Sequence, residues 1–208
     1  MVFIPLLMLM THKKLERLHH RLLVSPCVLV GTMVDGRENF MVLADVMHFQ
    51  YSPMHFAISC GKNHHTTRGI QEHGAFSVSV PSVEMLELVD YCGLVSGANQ
   101  DKSLLFEVFQ ASIAGAPLVR DAPITTACKV VQEVDIGGAN YLFLGEVLEV
   151  HVMERCITKR KPDLKKCKPF LISNDNTYRL VGDKVGDAYR EGMVLKRTRT
   201  GPSSSNGN

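Results

Sequence analysis

Two turn signatures constrain this chain more than any other feature. Asp35-Gly36 separates VLVGT (28–32) from a run over 39–44, and Gly137-Gly138 separates ACKVVQEV (127–134) from YLFLGEVLEVHV (141–152). Asp and Gly tolerate the positive φ that tight hairpin turns require, so each signature folds its flanking runs into an antiparallel pair. HFAISC (55–60), FSVSV (76–80), FLIS (170–173) and YRLVG (178–182) are further short β-rich runs. In the run 141–152 one face carries Leu142, Leu144, Leu148, Val150 and Val152, and the other still carries Tyr141, Phe143 and Val147. A strand apolar on both faces fits a barrel with something packed outside it.

Helices are fewer. Leu15, Leu18, Leu22 and Leu23 recur at helical spacing and predict an amphipathic helix over 13–23, ended by Pro26. Ser82 is a candidate N-cap for a helix reaching Cys92, with Gly93 stopping it. The class is therefore mainly β. One domain is expected over 25–195, preceded by an extension and helix over 1–24. The tail 196–208, ending TRTGPSSSNGN, has a disordered composition.

Composition matters here for what it excludes. Lys and Arg number 23 against 21 Asp and Glu, a formal charge of +2, which does not suit a nucleic-acid binder. The basic stretch 155–168 reads as a solvated linker or as an anion-binding loop. None of the six cysteines has C-x-x-C spacing, so buried free thiols in a reducing cytoplasm are expected. MVFIPLLMLM at the N-terminus lacks the leading basic region and small-residue cleavage site of a signal peptide, its basic flank over 12–21 following it instead, and is too short to cross a bilayer. It reads as an extension that packs on the domain, on a partner subunit or nowhere, rather than as a membrane segment. No Rossmann glycine fingerprint, P-loop, H-E-x-x-H or G-x-S-x-G is present. Cys60 and His64 have a spacing that could suit a metal, but nothing completes a tetrahedral set.

Lys62, His64, His65, Thr66, Thr67 and Arg68 gather hydrogen-bond donors and positive charge just before a helix that contains Ile70 and ends near Gly74. Thr66 or Thr67 capping that helix would leave N–H groups and the dipole facing an anion such as a phosphate. A basic loop with a capped helix and no ligand is the other reading.

Eight segments in order carry a resemblance: N-F-M-V-L-A (39–44), S-P-M-H-F-A-I-S (52–59), K-N-H-H-T-T (62–67), V-S-V-P (78–81), V-D-Y-C-G (89–93), S-G-x-x-x-D-K (96–102), A-P-L (116–118) and F-L-G-E-V (143–147). Together they resemble the flavin reductase-like family of FMN-binding split barrels, in the branch that includes flavoredoxins. The resemblance implies a Greek-key split β-barrel with flanking helices. It also implies an FMN cofactor, NAD(P)H as transient electron donor, and a homodimer that passes electrons to an acceptor or a redox partner protein. An electron carrier without NAD(P)H activity, or a flavin binder without turnover, is the alternative.

For the site, the resemblance implies Asn39, Met41, Val42, Leu43, Ala44 and Asp45 along the flavin ring, with Ser59 nearby. It places Lys62, His64, His65, Thr66 and Thr67 at the phosphate and Lys102 at the ring edge. Asn140 and Tyr141 lie near the flavin, and Tyr178 covers it. Three positions depart from the family pattern. His64 stands where an Arg is frequent, Val42 where a Thr is usual, and Asp45 or Val46 where many members have an aromatic residue. Cys92 reads either as a thiol beside the flavin or as the residue closing its helix.

Overall fold

The computed structural model describes Lys14 and residues 23–199. Apart from Lys14 and Leu23, the helix expected over 13–23 lies outside the described residues. The chain enters at β1 (Val24–Pro26) and then forms the first expected hairpin, β2 (Val28–Val34) and β3 (Arg37–Leu43). Asp35 and Gly36 sit at φ 50° and 75°, the left-handed region a tight hairpin turn demands. β4 (Val46–Tyr51) and β5 (Met54–Gly61) make a second hairpin, followed by α1 (His65–His73) and β6 (Ala75–Val80). After α2 (Leu86–Leu94) come the short β7 (Val108–Phe109) and β8 (Leu118–Val119), then β9 (Ile124–Val134) and β10 (Asn140–Val152). Gly137 and Gly138 turn that last pair at φ 84° and 95°. The C-terminal part holds β11 (Ile157–Thr158), β12 (Lys161–Pro162), α3 (Leu164–Cys167), β13 (Phe170–Ser173), β14 (Tyr178–Leu180) and α4 (Met193–Arg199).

Seven strands form one antiparallel sheet in the order β3-β2-β6-β9-β10-β5-β4. Its ladder ends at β3 on one side and β4 on the other, an unclosed sheet of the kind a split barrel has. β2 shows why. It is buried on both faces: Val28 and Val30 enter a core with Phe76, Ile58 and Phe143, while Leu29 enters a second with Phe40, Val89 and Phe170. A strand between two cores reads as a continuous apolar run rather than an alternating one. Each fully buried Val, Leu or Phe there is worth roughly 1.5–3 kcal/mol relative to exposure.

Gly69 brings α1 onto β2. A Cβ at that position would overlap the Met33 carbonyl oxygen and, at 2.7 Å, the Thr32 and Val34 side chains. This close approach fixes where the N-terminal end of α1 meets β3.

Four expectations change. Ser82 makes no side-chain cap bond, and α2 runs through Gly93 to Leu94. Gly93 serves packing instead, since a Cβ there would press on Val42 at 2.7 Å. On β10, Phe143 is fully buried, but Leu142, Leu148 and Val150 remain 38–48% exposed, so none of the described residues covers that outer face. The stretch 155–168 is no linker but a folded hairpin followed by a helical turn. Finally, α4 takes in the first four residues of the tail, because MVLKRTR reaches no Gly or Pro until Gly201. The tail from Thr200 onward lies outside the described residues.

Candidate active site

β3, the N-terminal end of α1, the C-terminal end of α2 and the loop after it enclose a cavity of about 370 Å³. β3 contributes Met41 and Val42, the α1 approach Asn63 to Thr66, and the α2 end Cys92 to Leu94. Ser96, Gly97 and Lys102 close it. A second hollow of similar size shares His65, Gly97 and Lys102 with it, and adds Asn39, Arg37 and Asp101. A larger hollow, about 820 Å³ between the α3 turn and Leu180–Gly186, contains none of the expected site residues.

Lys102 defines the electrostatics of the site. It is 4% exposed and donates from Nζ to the carbonyls of Phe40 at 3.0 Å and Cys92 at 2.9 Å. It does not pair with Asp101, whose carboxylate goes to Arg37 instead. Burial pulls the ammonium below its ordinary value, partly opposed by the nearby Cys92 thiol. Those two bonds leave one of its three N–H donors for the cavity. Cys92 is pushed up to about 11, chiefly by burial, with Lys102 opposing. It is therefore a protonated thiol at neutral pH.

Asn39, buried on β3, donates from Nδ2 to Thr66 Oγ1 at 2.7 Å. That bond occupies a lone pair of Thr66 and leaves its hydroxyl hydrogen to donate elsewhere. Gly97 makes room for the pair, since a Cβ there would overlap the Asn39 carboxamide oxygen and crowd the His65 ring at 2.9 Å. The α1 cap is not the one expected. His64 is the N-cap residue and makes no side-chain cap bond; Thr66 and Thr67 already lie inside the first turn. Thr67 is buried and donates to the Gly61 carbonyl at 2.7 Å, so its hydroxyl is committed to the backbone. His65 is shifted down, first by burial and then by Arg68, so it acts as a neutral donor or acceptor at pH 7.

Thus Asn39, Met41, Val42, His64, His65, Thr66 and Lys102 converge on the two hollows. Leu43 is buried in the core and Asp45 is exposed, its carbonyl accepting from Ser59 N at 2.9 Å. Neither lines a hollow, nor does half-buried Ala44.

The other expected residues form a separate constellation at the β5–β10 edge. Lys62 holds both oxygens of Asp135, at 2.8 and 2.7 Å, and sits 4.8 Å over the Tyr141 ring. Asn140 donates to Ser59 Oγ at 3.0 Å. Lys62, Tyr141, Asn140 and Ser59 thus find their partners at this edge, Asp135 among them, and do not line the cavity. Tyr178 donates its hydroxyl to Asp90 at 2.7 Å and packs edge-on to Phe170, so its ring lies in the second core.

Sequence reasoning passed over Asn63, Leu94 and Val95 as lining residues. Asn63 lies inside K-N-H-H-T-T, and Leu94 and Val95 fall between V-D-Y-C-G and S-G-x-x-x-D-K. Among the described residues no group of three or more His, Cys, Asp or Glu could hold a metal ion. The arrangement offers an anion the uncapped end of α1, the Thr66 hydroxyl and one buried cation. To a planar ring it offers the Met41–Val42 face.

Comparison with known proteins gives a consistent picture. A family model described as flavin reductase like domain matches residues 20–171. A crystal structure of flavoredoxin from Methanosarcina acetivorans is 36% identical and covers 88% of this chain and 100% of its own, with a TM-score of 0.85. Flavoredoxin of Desulfovibrio vulgaris (Miyazaki F) is 30% identical over the same shares, with a TM-score of 0.78. A ferric-chelate reductase (NAD(P)H) of Archaeoglobus fulgidus is 28% identical over 128 residues, 61% of this chain and 75% of its own.

Proposed function

The chain belongs to the flavin reductase-like domain family, and from that premise we propose that it binds FMN in the two adjoining hollows and passes electrons from NAD(P)H through it to an acceptor. The observation that carries this reading is Lys102, a cation 4% exposed on the wall of a cavity that also holds Thr66 and the uncapped end of α1. FMN supplies the redox chemistry when bound; the protein supplies position and charge. Asn39 fixes the Thr66 hydroxyl toward an anion, and the first turn of α1 adds its dipole. With Lys62 held by Asp135 and Arg68 paired with Asp35, the phosphate relies on neutral donors and the helix end. Lys102 serves the ring edge, where a fixed cation favours negative charge on the reduced ring. Together the two hollows fall within the roughly 300–1,000 Å³ of small-molecule sites.

The decisive experiment is anaerobic titration of the purified protein with FMN, followed by steady-state NADH and NADPH oxidation. FMN uptake with turnover supports the reading, and no uptake at excess FMN rejects it. A second reading, an electron carrier without NAD(P)H activity, is favoured by the likeness to two flavoredoxins. FMN uptake without turnover would select it.

We also read the open sheet as a Greek-key split barrel and the protein as a homodimer. Exposed Leu142, Leu148 and Val150 on β10, and Met47, Phe49 and Tyr51 on β4, support the second point. Light scattering at micromolar concentration tests it. Six buried free cysteines favour a reducing compartment such as the cytoplasm. No helix among the described residues is long and apolar enough to cross a membrane.

A further inference from the structure

We propose that Cys156 and Cys167 are a reversible thiol–disulfide pair, a modification site that clamps the base of the basic hairpin β11–β12. The fold brings the two thiols together although eleven positions separate them in the chain. Cys156 ends the turn Glu154–Cys156 and Cys167 ends α3. Asp163 ties both from one place: its N–H donates to the Cys156 carbonyl at 2.7 Å, and its carbonyl accepts from Cys167 N at 2.9 Å. The Cys156 thiol donates to the Lys166 carbonyl at 3.7 Å, which sets it beside the residue that precedes Cys167. The other four cysteines are embedded in the two strand-lined cores.

Between the two cysteines lies a segment that its own residues do not favour. Lys159 and Arg160, at the tip of the hairpin, have φ of 49° and 64°, and Lys168 after the pair has 45°. Left-handed backbone at non-glycine residues persists where surrounding contacts over-determine it. The base of this hairpin is held by the Asp163–Cys156 backbone bond and by the bonds of Lys166 to Cys156 and Ile157, and a covalent Cys156–Cys167 bond there would lock the geometry.

Both thiols are 3% exposed or less, yet Arg155, Ile157, Lys166 and Lys168 beside them are exposed, so they lie one residue beneath the surface. Burial raises the Cys167 thiol. When the hairpin opens, the lysines and arginine around it favour the thiolate.

The oxidant is a low-molecular-weight disulfide. One cysteine, deprotonated, attacks a sulfur of that disulfide; the S–S bond breaks, half leaves as a thiolate, and a mixed disulfide forms. The second cysteine, deprotonated in turn, attacks the protein-side sulfur and expels the other half. Two protein thiols are oxidised to one disulfide, one external disulfide is reduced to two thiols, and both protons go to the departing thiolates.

The test equilibrates the full-length protein in glutathione buffers from reduced to oxidised, quenches with acid and alkylates. Native trypsin then cuts at the exposed Lys159–Lys161 tip. Under oxidising buffer the protein should lose the mass of two hydrogen atoms, and the fragments on either side of the tip should stay linked until a reductant is added. Cys167→Ser should instead accumulate a mixed disulfide on Cys156. Fragments that separate without reductant in the oxidised sample would overturn the proposal, as would a linkage through any other cysteine or a wild-type protein that stops at a mixed disulfide.

Discussion

In the cavity between β3, α1 and α2, Lys102 is buried against main-chain carbonyls and faces space. At the β5–β10 edge, Lys62 lies across Asp135 and Tyr141 and faces no such space. Both lysines come from segments of the family pattern, and both were expected at the same ligand. The fold separates them by what each can pair with. Lys62 has a carboxylate within reach on the neighbouring hairpin loop, so its charge is neutralised locally and the surrounding polar groups close on themselves. Among the described residues Lys102 has no carboxylate partner, and a buried charge carries a desolvation cost that a bound anion or electron-rich ring would offset. On the proposed reading, a buried charge without a carboxylate partner on a cavity wall is a better guide to a ligand than charge density along the chain.

The strongest way to break this comparison is Gly97→Ala. The added methyl displaces the Asn39 carboxamide, breaking its bond to Thr66 and crowding His65. Overpacking plus the lost hydrogen bond should weaken FMN binding by about 3 kcal/mol, roughly a hundredfold. An unchanged Kd by fluorescence titration would remove this cavity from consideration.

Thr66→Ala comes next. Losing one donor to a phosphate should cost about 1–3 kcal/mol in FMN affinity, while riboflavin, which has no phosphate, binds nearly as before. Equal losses for both ligands would move Thr66 from the phosphate to the ring.

Lys102→Met should lower the flavin midpoint potential by about 30 mV, equivalent to about 1.4 kcal/mol for a two-electron couple. It should also affect FMN and riboflavin alike. Stability supplies a second readout. The folded-state value of Lys102 is depressed below 10.5, so the unfolded chain binds more protons between the two values. The penalty for burying the ammonium is fully present below the folded value and is relieved as pH rises toward 10.5. Denaturant unfolding should therefore show wild type gaining on Lys102→Met across that window. A difference independent of pH would mean that the lysine is not titrating in its buried position.

The smallest effect belongs to Lys62→Ala. The pair with Asp135 is partly exposed, 26% and 44% for the two side chains, so its loss should change stability by less than about 1 kcal/mol. FMN affinity should not move. A tenfold weaker Kd would put Lys62 back in the site and erase the contrast with Lys102.

Local chemistry made much of this legible. Asp35-Gly36 and Gly137-Gly138 announced their hairpins because few residues accept their backbone angles. The S-G-x-x-x-D-K segment delivered Gly97 and Lys102 to the cavity through the family pattern. β4 was missed although Met47, Phe49 and Tyr51 alternate with His48 and Gln50, because an edge strand open to solvent lacks the apolar signature of a core run. The capping role given to Thr66 and Thr67 failed because their hydroxyls had better partners in Asn39 and Gly61. The Lys62–Asp135 pair was out of reach because it depends on which strand lies beside β5. The meeting of Cys156 and Cys167 was hidden because the segment between them reads as a charged linker, and its basic residues reveal nothing of the turn they occupy.

The sheet order carries a consequence for how the molecule is made. β5 pairs with β4 on one side and with the distant β10 on the other, Gly61 standing opposite Asn140. On a ribosome the strand that completes β5 emerges about eighty residues later, a wait on the order of 4–16 seconds at about 5–20 residues per second. Until then the β4–β5 hairpin has an open edge on both sides, and pairing across such a span makes for slow folding. Newly made chains therefore spend their most vulnerable interval with Phe56 and Ile58 lacking the strand that will shelter them.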